Sequence, residues 1–587
     1  MLAVVASACL GLTLACTATQ AQPQATGAPA DLLIVNGKVV TVDARSTIAQ
    51  AIAVRGGRIA VVGTDAEVKR LGGPGTRVID ARARTVIPGL IDTHVHALGA
   101  APVEAVRAFR TLATIAEVQA WLRDVAQRTP APAWVWSTRV YPTRLREGRF
   151  PTREELDAAV PDRPAVVDGA YAFVLNTPAL AAAGITAPPS RAGVGAPGTT
   201  PDPPGAVIVR GPDGAPTGLL RNASSMLARF RPAAPESPPL DQIERLHRAY
   251  LATGITSIVE RGGSAGGLRT YEALKAAGRL RVRSTITLML PTGLRAEQAE
   301  AAVAAIGVAP RAGDEWLKAG PLKIVVDGGI LLGTSYMRAP YPAGSRALYG
   351  TQPPGYRGVL STSADAIRAV MIAGHAGGWQ MSAHVTGDAG VDAVLDGFEA
   401  AQRARPRPDA RHTLIHAYFP NPDTARRAAA LGVLVDTQPA WFYKDGDALA
   451  GALGVGGLAH FLGLRTWRDA GVRVAINTDH MFGADRDSAM NPFNPFLTMA
   501  TAVTRRTESG QVIGAGEAVT REEALRMMTI DAAAFTFDEG SRGSIEVGKL
   551  ADLAILSDDL FTVADDRIRT ITADVTIVGG TVAHERR

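Results

Sequence analysis

The stretch VIPGLIDTHVHALG, residues 86–99, is an apolar run that closes on a His-x-His pair, His94 and His96, before a small-residue loop. On a strand, side chains two apart leave the same face, so both imidazoles can reach one ion. By itself such a pair reads more simply as two polar residues at the mouth of a barrel strand. Four further runs close in the same way: PLKIVVDGG on Lys323, WQMSAHVTGD on His384, RHTLIHAYF on His416 and GVRVAINTDH on Asp479. The chain has only ten histidines, so this recurrence at strand ends is hard to assign to chance. A nitrogen and oxygen donor set of this kind suits Zn²⁺ or a similar divalent ion.

Length and composition bound what surrounds these runs. With 587 residues and 47% hydrophobic content, the chain can build one barrel-sized domain and a smaller one. Its 61 basic and 56 acidic residues give a net charge of +5 and are interspersed, with no basic arm. Aromatic content is 5% and no stacking motif is present, so nucleic acid is not an expected partner. Residues 1–15, MLAVVASACLGLTLA, are apolar but too short to span a bilayer, and a small-residue and Pro/Gln/Gly-rich segment follows. This reads as an export signal, residues 1–21, cleaved after Ala21, although it lacks a basic leading region. The alternative is a lipid anchor at Cys16, against which Thr13 departs from the Leu usual three residues before such a cysteine. Cys9 and Cys16 are the only cysteines, so the mature chain has no disulfide and no Cys ligand to offer. A periplasmic or secreted bacterial location is expected.

Between residues 31 and 88, short alternating strands are separated by Gly turns, as in DLLIVNGKVVTVD and AIAVRGGRIAVVG. The texture returns in residues 540–587 with GSIEVGKLADLAIL and DVTIVGGTVAHE, which predicts one composite β-sandwich built from both termini. Residues 89–539 alternate apolar runs with amphipathic windows such as SADAIRAVMIAGHAGG, the pattern of a parallel (β/α)8, TIM-like barrel of the α/β class. Residues from about 105 to 235 are rich in Pro, Gly and Arg with few clear strand and helix units, and read as an insertion over the barrel mouth.

In their order and spacing, PGLIDTHVHALG, LKIVVDGG, TSYMRAPY, HVTGDAG, RHTLIHA, NTDH with NPFNPFLTMATAVTRR, and GSIEVGKLADLAIL resemble the metal-dependent amidohydrolase superfamily, in its amidohydrolase-3, YtcJ-like branch. The resemblance implies a metal site on the C-terminal face of the barrel, with two divalent ions, zinc being the expected metal. His94 and His96 would bind one ion, and His384 and His416 the second. Asp479 would be both ligand and general acid/base, and Lys323, carboxylated on its amine, would bridge the ions. The residues give their own reason to notice Lys323, since only seven lysines stand against 54 arginines and this one lies in an apolar strand. Burial favours the neutral amine that reacts with CO₂. The competing reading is a lysine that snorkels to pair with Asp327. A hydroxide shared by two cations would attack a carbonyl carbon, and Asp479 would pass its proton to the leaving amine. Hydrolysis of a C–N bond, as an amide or an N-acyl or N-formyl group, is therefore the expected reaction, on a small molecule. Homodimerisation is compatible with the resemblance.

Against the branch pattern, Tyr171 stands where a His is usual, Ile415 and Asn222 where acidic residues are frequent and Tyr418 where a Gln is, which predicts a less charged, more aromatic substrate pocket. Tyr171, Tyr418 and His480 are candidate substrate contacts, His480 being equally readable as a loop residue bonded within its own loop. His375, His412 and His460 read as structural, with His412 a candidate to support a ligand from behind, and His247 and His584 read as surface residues. The alternatives are a mononuclear deaminase, a lactone or ester hydrolase, and a non-catalytic binding relative. The deaminase chemistry uses a Glu three residues after His384, where this chain has Gly387.

Overall fold

The computed structural model describes residues 28–106, 109–186, 200–232 and 240–586, with the side chains of 103–106 left out. The expected export signal and Cys16 lie outside the described residues. At the centre stand eight parallel strands: β1 Leu90–Val95, β2 Ile255–Glu260, β3 Arg283–Met289, β4 Leu317–Val325, β5 Met381–Val385, β6 Thr413–His416, β7 Leu434–Thr437 and β8 Val474–Ile476. They pair in sequence order, β1 through β8. Val95 and His480 bridge in parallel just beyond β8, and His96 N–H donates to the His480 carbonyl at 2.8 Å, so the eighth strand returns to the first. The fold is the (β/α)8 barrel of the α/β class.

The sequence forms these strands because each is a short run buried on both faces, as parallel strands under helices must be. β1, β2, β5, β6, β7 and β8 are buried at every position. Side-chain caps then start the covering helices at set points: Ser264 caps Ala265–Ala276, Ser363 caps Ala364–Ala376 and Asn421 caps Pro422–Ala430. Registers such as Val325 opposite His384 and Val385 opposite His416 bring the C-terminal strand ends level.

Both chain ends build a second body. One sheet orders Arg58–Gly63, Ala51–Arg55, Leu32–Val35 and Arg77–Asp80, and the other joins Ala573–Val578 and Leu553–Leu556 to Thr85–Pro88 and Lys38–Val40. Leu553 pairs with Pro88 and Ala554 with Ile87, so C-terminal strands complete an N-terminal sheet. Ile34, Val39, Ile52, Val86, Leu553 and Ile577 fill the core between the sheets. A buried ion pair between Arg283 Nε, on β3, and Asp552 Oδ2 at 2.6 Å ties this body to the barrel.

The stretch between β1 and β2 is more regular than its composition predicts. It holds a five-stranded sheet in the order Val207–Arg210, Pro216–Arg221, Ala172–Leu175, Ala165–Asp168 and Val135–Arg139, with helices at Ile115–Arg128, Arg153–Ala159 and Thr177–Ala182. Two of these helices are only seven and six residues long, and Pro, Gly and Arg turns divide the strands, so no repeated strand and helix alternation stands out in the sequence. Among the described residues, no helix is long and apolar enough to cross a membrane.

Candidate metal centre

The strand ends gather the candidate ligands around one cavity of about 310 Å³, lined by His94, His96, Lys323, His384, His416 and Asp479. His94 Nε2 and His96 Nε2 lie 3.3 Å apart. Asp479 Oδ1 lies 3.3 Å from the first and 3.2 Å from the second. Donors sharing one tetrahedral ion at about 2.0–2.1 Å stand about 3.3–3.4 Å from one another, so this triangle has the dimensions of one ligand face. Asp479 Oδ1 is buried and has no hydrogen-bond partner, a costly state for a carboxylate oxygen that a cation would relieve.

His384 and His416 form the second pair, with His384 Nδ1 and His416 Nε2 2.8 Å apart. Each ring's other nitrogen faces an acceptor. His384 Nε2–H donates to the Gly328 carbonyl at 2.9 Å, and His416 Nδ1–H donates to Gln438 Oε1 at 2.6 Å. Gln438 is itself oriented, its amide nitrogen donating to the Asp436 carbonyl at 3.3 Å. Two neutral rings so arranged turn their lone pairs toward each other, which is repulsive unless a cation or proton sits between them. Burial pulls the His384 pKa down to about 3 and that of His416 well below the usual imidazole range. Neutral imidazole is the ligand form. His94 and His416 rings lie 5.5 Å apart, so the two donor groups adjoin.

Lys323 is buried between them, and burial lowers its amine to about 8. It does not pair with Asp327. That carboxylate is taken up by backbone N–H groups of Tyr336 at 2.9 Å, Thr386 at 2.9 Å and Gly387 at 2.8 Å. The snorkelling reading is therefore replaced by a lysine that lines the cavity.

Two of the candidate ligands are held by unusual backbone. His416 has φ +76° and Asp479 φ +49°, the left-handed region that side-chain-bearing residues seldom adopt and that clusters at functional sites. Glu260, at the end of β2, accepts from Leu98 N–H at 2.8 Å and Gly262 N–H at 3.0 Å. A Cβ on Gly262 would stand 2.7 Å from His96 Nδ1, so only glycine lets the β2 loop pass this close to the ligand.

Of the candidate substrate contacts, Tyr171 and Tyr418 line the cavity. Tyr171 Oη lies 3.3 Å from His384 Nδ1, and Tyr418 O–H donates to Gln438 Oε1 at 3.2 Å. His480 does not line it. Its Nε2–H donates to the Gly483 carbonyl at 2.7 Å, and its Nδ1 accepts from Tyr250 O–H at 2.7 Å, so the alternation that aims Asp479 inward aims His480 away. Nor does His412 support a ligand: it bonds His375 at 2.8 Å and accepts from Met381 N–H at 3.0 Å, at the far end of the strands. His247 is fully buried against Tyr271 rather than exposed, because its helix turns it toward the barrel.

Residues that sequence reasoning did not single out complete the walls: Arg139, Tyr141, Leu331, Trp441, Met481 and Phe482. Arg139 is balanced by Asp168 at 2.6 Å, leaving a largely aromatic and aliphatic surface. Gln438 closes the β7 run GVLVDTQP before its loop, so the strand-end rule applied to the histidines could have found it.

The sequence pattern of the amidohydrolase family matches residues 77–584. The chain belongs to that family. Over 572 residues it is 32% identical to the N-substituted formamide deformylase of Arthrobacter pascens, covering 95% of this chain and 98% of that protein. With the putative amidohydrolase YtcJ of Bacillus subtilis it shares 24% identity over 550 residues, 92% of this chain and 96% of the relative. Its fold is similar to that of an uncharacterized metal-dependent hydrolase from Pyrococcus horikoshii, with TM-score 0.63, 20% identity, and coverage of 91% of this chain and 99% of the other. As an amidohydrolase, the protein is a hydrolase acting on C–N bonds.

Proposed function

We propose that the protein is an exported hydrolase of small N-acyl or N-formyl amines whose nitrogen carries an apolar group. The observation that carries this reading is the meeting of the His94, His96 and Asp479 triangle, the His384 and His416 pair and a buried lysine at one end of a cavity walled by Tyr141, Tyr171, Tyr418, Trp441 and Phe482. The likeness to an N-substituted formamide deformylase supports the formyl amide as the bond cleaved.

His94, His96 and Asp479 would hold one divalent ion, His384 and His416 a second, and a carboxylated Lys323 would join them, with zinc the best match to this donor set. When bound, such ions lower the pKa of water and polarise a carbonyl oxygen. The chain's own residues do the rest. The Asp479 carboxylate, through the oxygen other than the one that faces His94 and His96, takes the proton of the attacking water and returns it to the leaving nitrogen, which departs as a neutral amine. Tyr171, whose hydroxyl burial keeps protonated, donates to the carbonyl oxygen as negative charge develops there. The aromatic wall excludes water and takes the nitrogen substituent.

The deaminase reading meets a steric objection: a Cβ on Gly387 would stand 2.1 Å from the Tyr336 carbonyl oxygen, so the position cannot take the Glu that chemistry uses. Hydrolysis of N-formyl amines graded from methyl to arylalkyl, alongside metal content per chain, tests the proposal. About two ions per chain and a kcat/KM that rises with the apolar arm are expected. Absence of turnover across the panel, with heterocyclic amines deaminated instead, would overturn it.

A further inference from the structure

Asp479 sits in the left-handed region on a loop beyond β8, and its neighbours are each tied down. Thr478 O–H donates to Asp92 Oδ2 at 2.6 Å, and the His480 carbonyl accepts from His96 N–H at 2.8 Å. The carbonyl of Asp479 itself is held by one side chain, buried Asn491, whose Nδ2–H donates to it at 2.5 Å. Asn491 is fixed in turn by Arg144, which reaches its Oδ1 at 3.4 Å and the Met490 carbonyl beside it. Arg144 forms a two-pronged pair with Asp445, at 3.0 and 2.8 Å, and Thr143 O–H donates to the same carboxylate at 2.7 Å. The Arg144 guanidinium also lies 5.3 Å from the Tyr141 ring and 5.4 Å from that of Trp441, two walls of the cavity.

We propose that Asn491, clamped by Arg144 and Asp445, is a positioning residue for Asp479, and that Arg144 couples the aromatic wall of the cavity to the carboxylate at its floor. A carbonyl pinned from behind keeps the peptide plane from rotating, which keeps Asp479 Oδ1 on the His94 and His96 nitrogens. Arg144 belongs to the inserted segment and Asp445 to the helix after β7, so the link joins the lobe that shapes the pocket to the strand end that carries the acid/base. The two-pronged geometry with a third donor bond is specific to guanidinium, and a lysine cannot reproduce it.

The inference rests on the proposed role of Asp479 and is tested by two readouts. In the full chain, Asn491→Asp keeps the size of the side chain but replaces the donor with an acceptor. Zinc affinity, measured by titrating zinc chloride against a chelator, is expected to fall about ten- to hundredfold, and kcat on an N-formyl arylalkylamine to fall similarly with KM little changed. Arg144→Lys is expected to give a smaller loss of the same kind, and the double variant no more loss than Asn491→Asp alone, since both act through one link. Unchanged zinc affinity and kcat in a folded Asn491→Asp, or additive losses in the double variant, would overturn the inference. If Asn491→Asp does not fold, Arg144→Lys decides by the same two readouts. If the parent chain hydrolyses no amide, the proposed function falls, and zinc affinity alone decides the role of Asn491.

Discussion

The buried Asp479 carboxylate oxygen that lacks a hydrogen-bond partner and the buried Lys323 amine that lines the same cavity each make a distinct prediction. Asp479→Asn keeps the shape of the side chain and removes the proton acceptor, so turnover should fall about 10²–10⁴-fold while thermal unfolding stays cooperative. Retained activity would remove Asp479 from the chemistry. For Lys323, burial lowers the amine to about 8 from an unfolded value near 10.5. Between those values the unfolded chain binds more protons than the folded one, so this group's contribution to stability rises with pH across the window, and below about 8 the buried charge costs its full amount. Lys323→Met in the metal-free chain should therefore raise the melting temperature at pH 7, with the gain shrinking toward pH 10. A gain that is flat with pH would show that the amine is not the source. The six residues that gather around the cavity were readable because each ends an apolar run, whereas the rotation of His480 into Tyr250 and the burial of His247 depend on neighbours distant in sequence.

Strands and helices set these groups in place, and here the sequence was readable in proportion to the length of its patterns. The barrel strands and their capped helices repeat a long alternation that survives irregular turns. The inserted lobe, with two helices of only seven and six residues and a sheet that mixes parallel and antiparallel pairs, offers no such repeat, and Arg139 and Tyr141 were not legible with it. Loops after the strands are packed as tightly as the strands. Gly387, which opens the helix Asp388–Ala404, has no room for a Cβ against the backbone of Tyr336. Gly387→Ala should cost about 1–3 kcal/mol in denaturant unfolding, by overpacking against backbone that cannot rotate away. An unchanged midpoint would mean that the 336 loop yields.

At the scale of the whole chain, a buried ion pair helps to lock the barrel to the terminal sandwich. Arg283 and Asp552 are both almost fully buried, Asp552 also accepts from Gly579 N–H at 2.7 Å, and the guanidinium lies 4.6 Å from the Trp316 ring. Asp552→Asn would leave the cation buried without its counter-charge, and a loss of about 3–5 kcal/mol is expected from urea unfolding. A shift of under 1 kcal/mol would show that this pair is not what holds the two bodies together. The composite origin of the sandwich was visible as the same Gly-turn texture at both ends of the chain. Which strands meet was not, because pairing Leu553 with Pro88 is a contact between residues separated by most of the sequence. That pairing also orders events in time. The strand Thr85–Pro88 leaves the ribosome early and keeps a bare edge until Leu553–Leu556 are made, so a chain cut short before them carries an unpaired apolar strand just ahead of His94 and His96. Closure of the sheet therefore waits on Leu553–Leu556: a chain that lacks this strand leaves the edge of Thr85–Pro88 open.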